Sequence, residues 1–202
     1  MARRTKAEAE QTREAILDAA EILFAERGVG SSSLEDIARA AGVTRGAVYW
    51  HFADKPALFQ ALYQRVKSPM QQYLDDAVAS DEPLQGLRDA CVYVLKQLAT
   101  DPHTQRVFGI MAFKCELAAA DECRAKWQHD GRAAAIQKYE KALSRAKKFG
   151  QLANGISPKL AANALTAFIG GLINDFLRCP DSLNLKRDGS RMIDLFFSGL
   201  RA

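Results

Sequence analysis

Between Ser32 and Phe52 the chain reads SSLEDIARAAGVTRGAVYWHF, and this stretch constrains the fold more than any other. Ser33 followed by Asp36 is a helix-start signature, because hydroxyl and carboxylate can satisfy amides that a first helical turn leaves unbonded. Leu34, Ile37, Ala38 and Ala41 then share one apolar face, and Gly42 stops the run. Thr44 can cap a second short helix, with an incomplete capping box because Ala47 stands at its third position. Two short helices joined by a glycine turn, the second narrow and cationic at its start, have the layout of a helix-turn-helix. Similar pairs also occur in ordinary helical cores.

The flanks are helical too. Ile16, Ala19, Ala20, Leu23 and Phe24 recur at helical spacing from about Ala7 to Arg27, and Gly28 is a natural stop. Asp54 can cap a fourth helix, with Pro56 tolerated in its first turn and Leu58, Phe59, Leu62 and Val66 pointing inward. Further helices are expected over about Pro83–Ala99, Pro102–Leu117, Ala119–Phe149, Ser157–Arg178 and Asp188–Leu200. Connectors are expected at 150–158 and 180–187. No strand-like alternation interrupts the pattern. The expected fold is therefore all-α: an N-terminal three-helix helix-turn-helix domain over residues 1–55, including the start of connecting helix 4, and a larger helical ligand-binding and dimerisation domain over 56–202.

Composition narrows the function. With 202 residues, 48% hydrophobic and 26% charged, the chain can bury a sizeable core. A net charge of +4 is too small for a bulk nucleic-acid coat, so any DNA contact rests on a few placed groups. The start MARRTK lacks a secretory apolar stretch, and Leu160 to Ile173 reads as too short to span a membrane. Cys91, Cys115, Cys123 and Cys179 include no closely spaced pair, so neither a disulfide framework nor a zinc finger is indicated. A cytoplasmic protein with no cofactor, metal or membrane partner is expected. Nucleophile elbow, phosphate loop and two-histidine metal motif are all missing, and His51, His103 and His129 are scattered, which argues against an enzyme. Metal sensing through Cys115, Cys123 and His129, redox sensing through the cysteines, and nonspecific architectural DNA binding are the weaker alternatives.

A recognition helix must be slender where it enters a groove and carry hydrogen-bonding tips at its N-terminal end. Gly46 and Ala47 permit close approach, and Arg45 can offer two donors to a guanine edge. Val48 is the expected inward anchor, helped by Trp50 and Phe52. Tyr49, His51 and Lys55 are candidates for phosphate contacts, as is the helix start at Ser33. Arg3 and Arg4 either follow a minor groove or lie free.

These residues resemble the signature of the TetR family of transcriptional regulators, above all its AcrR-like branch of multidrug-efflux repressors. The likeness runs from ARRTKAEAEQTREAILDAAEILFAERG through SLEDIARAAGVTRGAVYWHFADKPALF, with a weaker echo in FKCEL at 113–117. It implies groove-facing Thr44 and Arg45, phosphate-facing Tyr49 and His51, and a phosphate contact from Lys55. The partners implied are a double-stranded palindromic operator, a second copy of the chain, and a small amphipathic or aromatic effector that releases the repressor from an efflux operon. Where the branch has HKCE, this chain has Phe113 before Lys114, Cys115 and Glu116.

The rest of the chain supplies candidates for the last two partners. Ala164, Phe168, Gly171 and Leu172, followed by Ile193, Phe196 and Phe197, offer two apolar stripes for dimerisation, or else intramolecular core. For the effector the candidates are Leu62, Val66, Met70, Cys91, Val92 and Leu95. Phe108, Met111, Cys115, Trp127, Phe168, Asp175 and Phe176 complete that set, and a solid core would use the same apolar residues. An effector that moves the far end of the fourth helix would alter the spacing of two recognition helices, which a duplex fixes at about 34–36 Å.

Overall fold

The computed structural model describes the backbone of residues 5–114 and 120–202, with side chains over 5–114 and 130–202. In chain order the helices are α1 (Lys6–Arg27), α2 (Leu34–Ala40), α3 (Arg45–His51), α4 (Lys55–Ala79), α5 (Pro83–Thr100), α6 (Pro102–Gly109), α7 (Ala120–Lys148), α8 (Pro158–Arg178) and α9 (Leu185–Ser198). Among the described residues there is no strand, only a bridge pairing Leu152 with Arg201. The all-α expectation holds.

Local chemistry sets the early boundaries. Thr5 Oγ1 accepts the Glu8 amide while the Glu8 carboxylate accepts that of Thr5, so α1 starts on a full capping box. It stops at Gly28, whose φ of 83° belongs to the left-handed region that side chains avoid. Ser33 and Asp36 form the box of α2, Thr44 Oγ1 accepts the Ala47 amide at 3.2 Å to start α3, and Asp54 Oδ1 accepts the Ala57 amide at 2.7 Å to start α4. Each such cap is worth about 1 kcal/mol.

The chain divides into two compact units. The first runs to Lys67 and resumes over Arg106–Glu122, and the second comprises Ser68–Gln105 and Cys123–Ala202. The expected 55/56 boundary falls at the start of α4, whereas the first unit keeps that helix as far as Lys67. In the first unit Ile16, Leu17 and Phe24 of α1 are buried, as are Ile37 of α2, Val48 of α3, and Leu58, Phe59 and Leu62 of α4. Phe24 meets Phe59 edge to face at 6.1 Å. Each fully buried leucine or phenylalanine contributes about 1.5–3 kcal/mol.

In the second unit α5 lies along α9. Leu87, Leu95 and Leu98 are buried on one side of this packing, and Ile193 and Phe197 on the other. Arg88 of α5 adds a polar tie, donating to both Asp194 oxygens at 2.8 and 3.1 Å and to Ser190 Oγ at 2.9 Å. Gly86 lets α5 approach α4 closely: a Cβ there would stand 3.0 Å from Ala77 Cα.

Three expectations need correction. The helix expected from Pro102 to Leu117 is α-helical only to Gly109, then widens into a π turn over Ile110–Lys114. The last helix starts at Leu185, earlier than Asp188, because Asn184 Oδ1 accepts the Arg187 amide and caps it. Finally, the apolar stretch from Leu160 to Ile173 lies within α8, a helix of 21 residues that is long and apolar enough by composition to cross a membrane, with 22% of its 18-residue apolar window buried.

Candidate nucleic-acid interface

A helix of seven residues has room for one anchored side. In α3 that side is Val48, fully buried, continued by Phe52 just beyond the helix. Thr44, Arg45, Gly46 and Tyr49 are exposed, while Ala47 and His51 are half-buried. Trp50 departs from expectation. Its hydrophobicity places it in the core with Val48 and Phe52, yet it is 73% exposed. Two residues advance a helix by about 200°, which carries Trp50 away from the anchored side. Its indole meets the His51 ring edge to face at 4.5 Å.

The outward side chains are preorganised by one another. Arg45 lies over the Tyr49 ring at 5.4 Å, with Nη2 3.4 Å from the tyrosine hydroxyl, a hydrogen bond that raises the guanidinium pKa. Lys55, the first residue of α4, donates from Nζ to the carbonyls of Gly30 at 3.0 Å and Ser32 at 2.9 Å. Its ammonium thereby ties the α1–α2 turn to α4, and partial burial lowers its pKa. Ser33 Oγ donates to Asp36 Oδ2 at 2.6 Å and accepts the Asp36 amide at 3.0 Å, so much of its capacity is used by the cap.

Arg45, Tyr49 and Lys55 surround a single surface cleft of about 360 Å³ with Ser31, Ser32, Ser33 and the start of α2. Glu35 also lines it, so the cleft is not uniformly cationic. A cleft with a guanidinium, an ammonium, a phenol and serine hydroxyls is suited to a phosphodiester backbone. Arg3 and Arg4 lie outside the described residues.

The other candidates are distributed unevenly. Leu62 and Val66 are buried in the first unit, where Phe108 and Met111 are half-buried. Met70, Cys91 and Leu95 are buried in the second unit, where Val92, Phe168 and Phe176 are half-buried. Asp175 is exposed, so its carboxylate carries no burial cost. Cys115 and the side chains of Trp127, Cys123 and His129 lie outside the described residues, and with them the proposed metal-sensing set. Among the described residues no group of three or more His, Cys, Asp or Glu is placed to hold a metal ion.

Of the dimerisation candidates, Ala164 and Gly171 are exposed, and Phe168, Leu172 and Phe196 are half-buried. Phe168 and Phe196 stack at 5.3 Å. Ile193 and Phe197 are corrected: at 0% and 1% exposure they belong to the core of their own chain and present nothing to a partner.

Two features have no signal in local sequence. Cys91 and Tyr139 form a buried polar pair, burial raising the thiol pKa to about 12 and the phenol pKa well above its ordinary value. Lys114 of the FKCEL echo donates from Nζ to the carbonyls of Ala25 and Glu26 at the end of α1, while its own carbonyl accepts the Val29 amide at 3.0 Å. A lysine that satisfies the last carbonyls of a helix is a familiar terminus device, but only the tertiary fold shows that it comes from another element.

Residues 16–62 match the family described as bacterial regulatory proteins, tetR family, and residues 82–201 match the MAATS-type transcriptional repressor, C-terminal region. The transcriptional repressor BepR of Brucella suis is 40% identical over 202 residues, covering 99% of this chain and 97% of that protein. NalD of Pseudomonas aeruginosa, secondary repressor of the MexAB-OprM multidrug efflux pump, is 38% identical with a TM-score of 0.85, covering 97% of this chain and 98% of that one. The triclosan complex of SmeT, from Stenotrophomonas maltophilia, is 35% identical with a TM-score of 0.87 and coverages of 95% and 92%. The chain belongs to the TetR family of bacterial regulatory proteins, and it is a transcriptional repressor rather than an enzyme.

Proposed function

We propose that the protein binds a palindromic operator as a homodimer, controls a multidrug efflux operon in the cytoplasm of its cell, and is released by amphipathic toxic compounds. One observation carries the DNA reading: Arg45 and Tyr49 on the exposed side of α3 and Lys55 at the start of α4 line one cleft. Arg45 reads a guanine edge, with Thr44, Gly46 and Ala47 narrow enough to let the helix into the major groove. Tyr49, His51, Lys55 and the start of α2 at Ser33 hold phosphates, and Arg3 and Arg4 reach the adjoining minor groove. Trp50 joins them, its exposed indole N–H donating to the backbone.

The second copy is met by the outward face of α8, through Ala164, Phe168, Gly171 and Leu172 with Phe196 of α9. This assignment accounts for the apolar exposure of α8 without a membrane. The effector is held by the apolar interior of the second unit, through Met70, Cys91, Val92, Leu95, Phe168 and Phe176, with the Cys91–Tyr139 pair as a polar anchor. Leu62, Val66, Phe108 and Met111 remain candidates from the first unit. The efflux assignment is supported by NalD and SmeT, each a repressor of a multidrug efflux pump.

The test is selection of bound sequences from random DNA, repeated with a panel of lipophilic compounds. The expected result is an enriched palindrome that is lost when a compound of this class saturates the protein. Enrichment of an unsymmetrical sequence, or of none, would overturn the proposal.

A further inference from the structure

Carboxylates are seldom fully buried unless paired, and Glu21 on α1 is 1% exposed. Two guanidinium groups meet it. Arg65 of α4 donates from Nη2 to Oε2 at 2.9 Å, and Arg106 of α6 donates from Nε to Oε1 at 2.6 Å. Arg65 is held further by Glu14 at 3.0 Å and Asp18 at 2.7 Å, from the same stripe of α1.

Where these two arginines fall along the chain is informative. The first unit ends on α4 at Lys67 and resumes at Arg106. Arg65 therefore stands just before the chain leaves the unit, and Arg106 is the residue on which it returns. Pro69 lies inside α4 just past the exit. Proline offers no amide to the carbonyl four residues back, that of Arg65, so the helix is weakened immediately beyond the clamp.

We infer that Glu21 is a positioning residue for the regulatory response: it ties both of these chain crossings to α1, so that a change of state in the second unit reaches the helix-turn-helix through one carboxylate. This rests on the proposed effector-responsive function. Charge-assisted bonds to a buried carboxylate tolerate little displacement, and loss of one cationic partner leaves the buried charge less well compensated. The joint therefore switches between made and broken, where an apolar contact would slide. Arg65 keeps Glu14 and Asp18 when Glu21 is lost.

The test uses linkage, by which an effector that alters operator affinity obliges the operator to alter the second unit in return. Deuterium exchange in α5 and α8 is measured with and without a duplex selected from random DNA. In the wild type, duplex binding is expected to change exchange in these helices by about threefold or more, while Arg106→Gln binds the duplex within about threefold of wild type and loses more than about half of that distant change. Arg106→Lys, which keeps the charge, should restore part of it. Glu21→Gln is the second variant and should resemble Arg106→Gln. A full distant change in Arg106→Gln overturns the inference, as does a wild type that binds duplex with no change in α5 and α8. Loss of duplex binding by Arg106→Gln overturns it too, since Arg106 would then be a support of the DNA-reading surface. Failure of the wild type to bind any duplex is a separate outcome, and overturns the underlying repressor reading itself.

Discussion

Two helices, α3 and α8, leave large apolar side chains in solvent, Trp50 at 73% and Leu160 at 71% exposure, yet they do so in different chemical company. The outward side of α3 interleaves aromatic rings with donors: Arg45, Tyr49 and Trp50. The outward side of α8 has no charged residue from Ala164 to Ile173, and its exposed positions there are the small residues Ala164, Ala167, Gly170 and Gly171. A phosphate backbone rewards donors on a slender rod. A second copy of the same surface rewards shape and apolar area. Exposure of apolar residues is thus not one signal but two, told apart by what stands beside them.

The contrast can be broken from either side. The largest effect is expected from Val48→Asp, which puts a charge at the fully buried anchor of α3 and costs several kcal/mol, on the order of 4. DNA binding in a gel-shift assay should vanish while sedimentation still shows a dimer. Dimer loss in that variant would mean the two surfaces are not independent. Phe168→Glu acts on the other side. It should weaken self-association by about 2–4 kcal/mol, read as a monomer at micromolar concentration, with helicity retained.

Smaller changes sharpen the roles. Lys55→Ala removes two hydrogen bonds to the α1–α2 turn and should cost about 1–2 kcal/mol of stability by thermal melting. If Lys55 also neutralises a phosphate, the slope of log affinity against log salt falls by about 0.9 for each phosphate left without its cation. A stability loss with an unchanged slope would assign Lys55 to the turn alone. The smallest effect concerns Asp36, whose carboxyl is held below its ordinary pKa by the Ser33 hydroxyl and then the Ser33 amide. A depressed carboxylate contributes stability above the unfolded value of about 3.9 and loses it as pH falls through the lower folded value. Ser33→Ala should therefore lower the melting temperature more at pH 7 than at a pH below the folded value, where only loss of the bond from the Asp36 amide to the Ser33 hydroxyl remains.

Much of the first unit is legible in the sequence because its signals are local. Ser33 with Asp36, Thr44, Asp54, Gly28 and Gly42 each act within one helical turn, and each boundary falls where they put it. Trp50 misleads because its hydrophobicity points to the core while its angular position on α3 points to solvent. Asn184 caps α9 ahead of the start expected at Asp188. The second unit is less legible for a different reason. Ile193 and Phe197 face inward while Leu195 between them is 76% exposed, and only the packing of α9 on α5 tells which side of an apolar helix meets its own chain. The Glu21, Arg65 and Arg106 cluster is out of reach, since it joins residues far apart in sequence that local spacing cannot associate.

Whether α3 reads DNA sequence through Arg45 is decided by comparing wild type and Arg45→Ala on the selected palindrome and a scrambled duplex of equal length at matched salt. The wild type is expected to prefer the palindrome by about a thousandfold or more. In Arg45→Ala most of that preference should disappear, by about 1–3 kcal/mol per half-site, with weak salt-dependent binding to both duplexes kept. An undiminished preference for the palindrome in Arg45→Ala would contradict this role of Arg45.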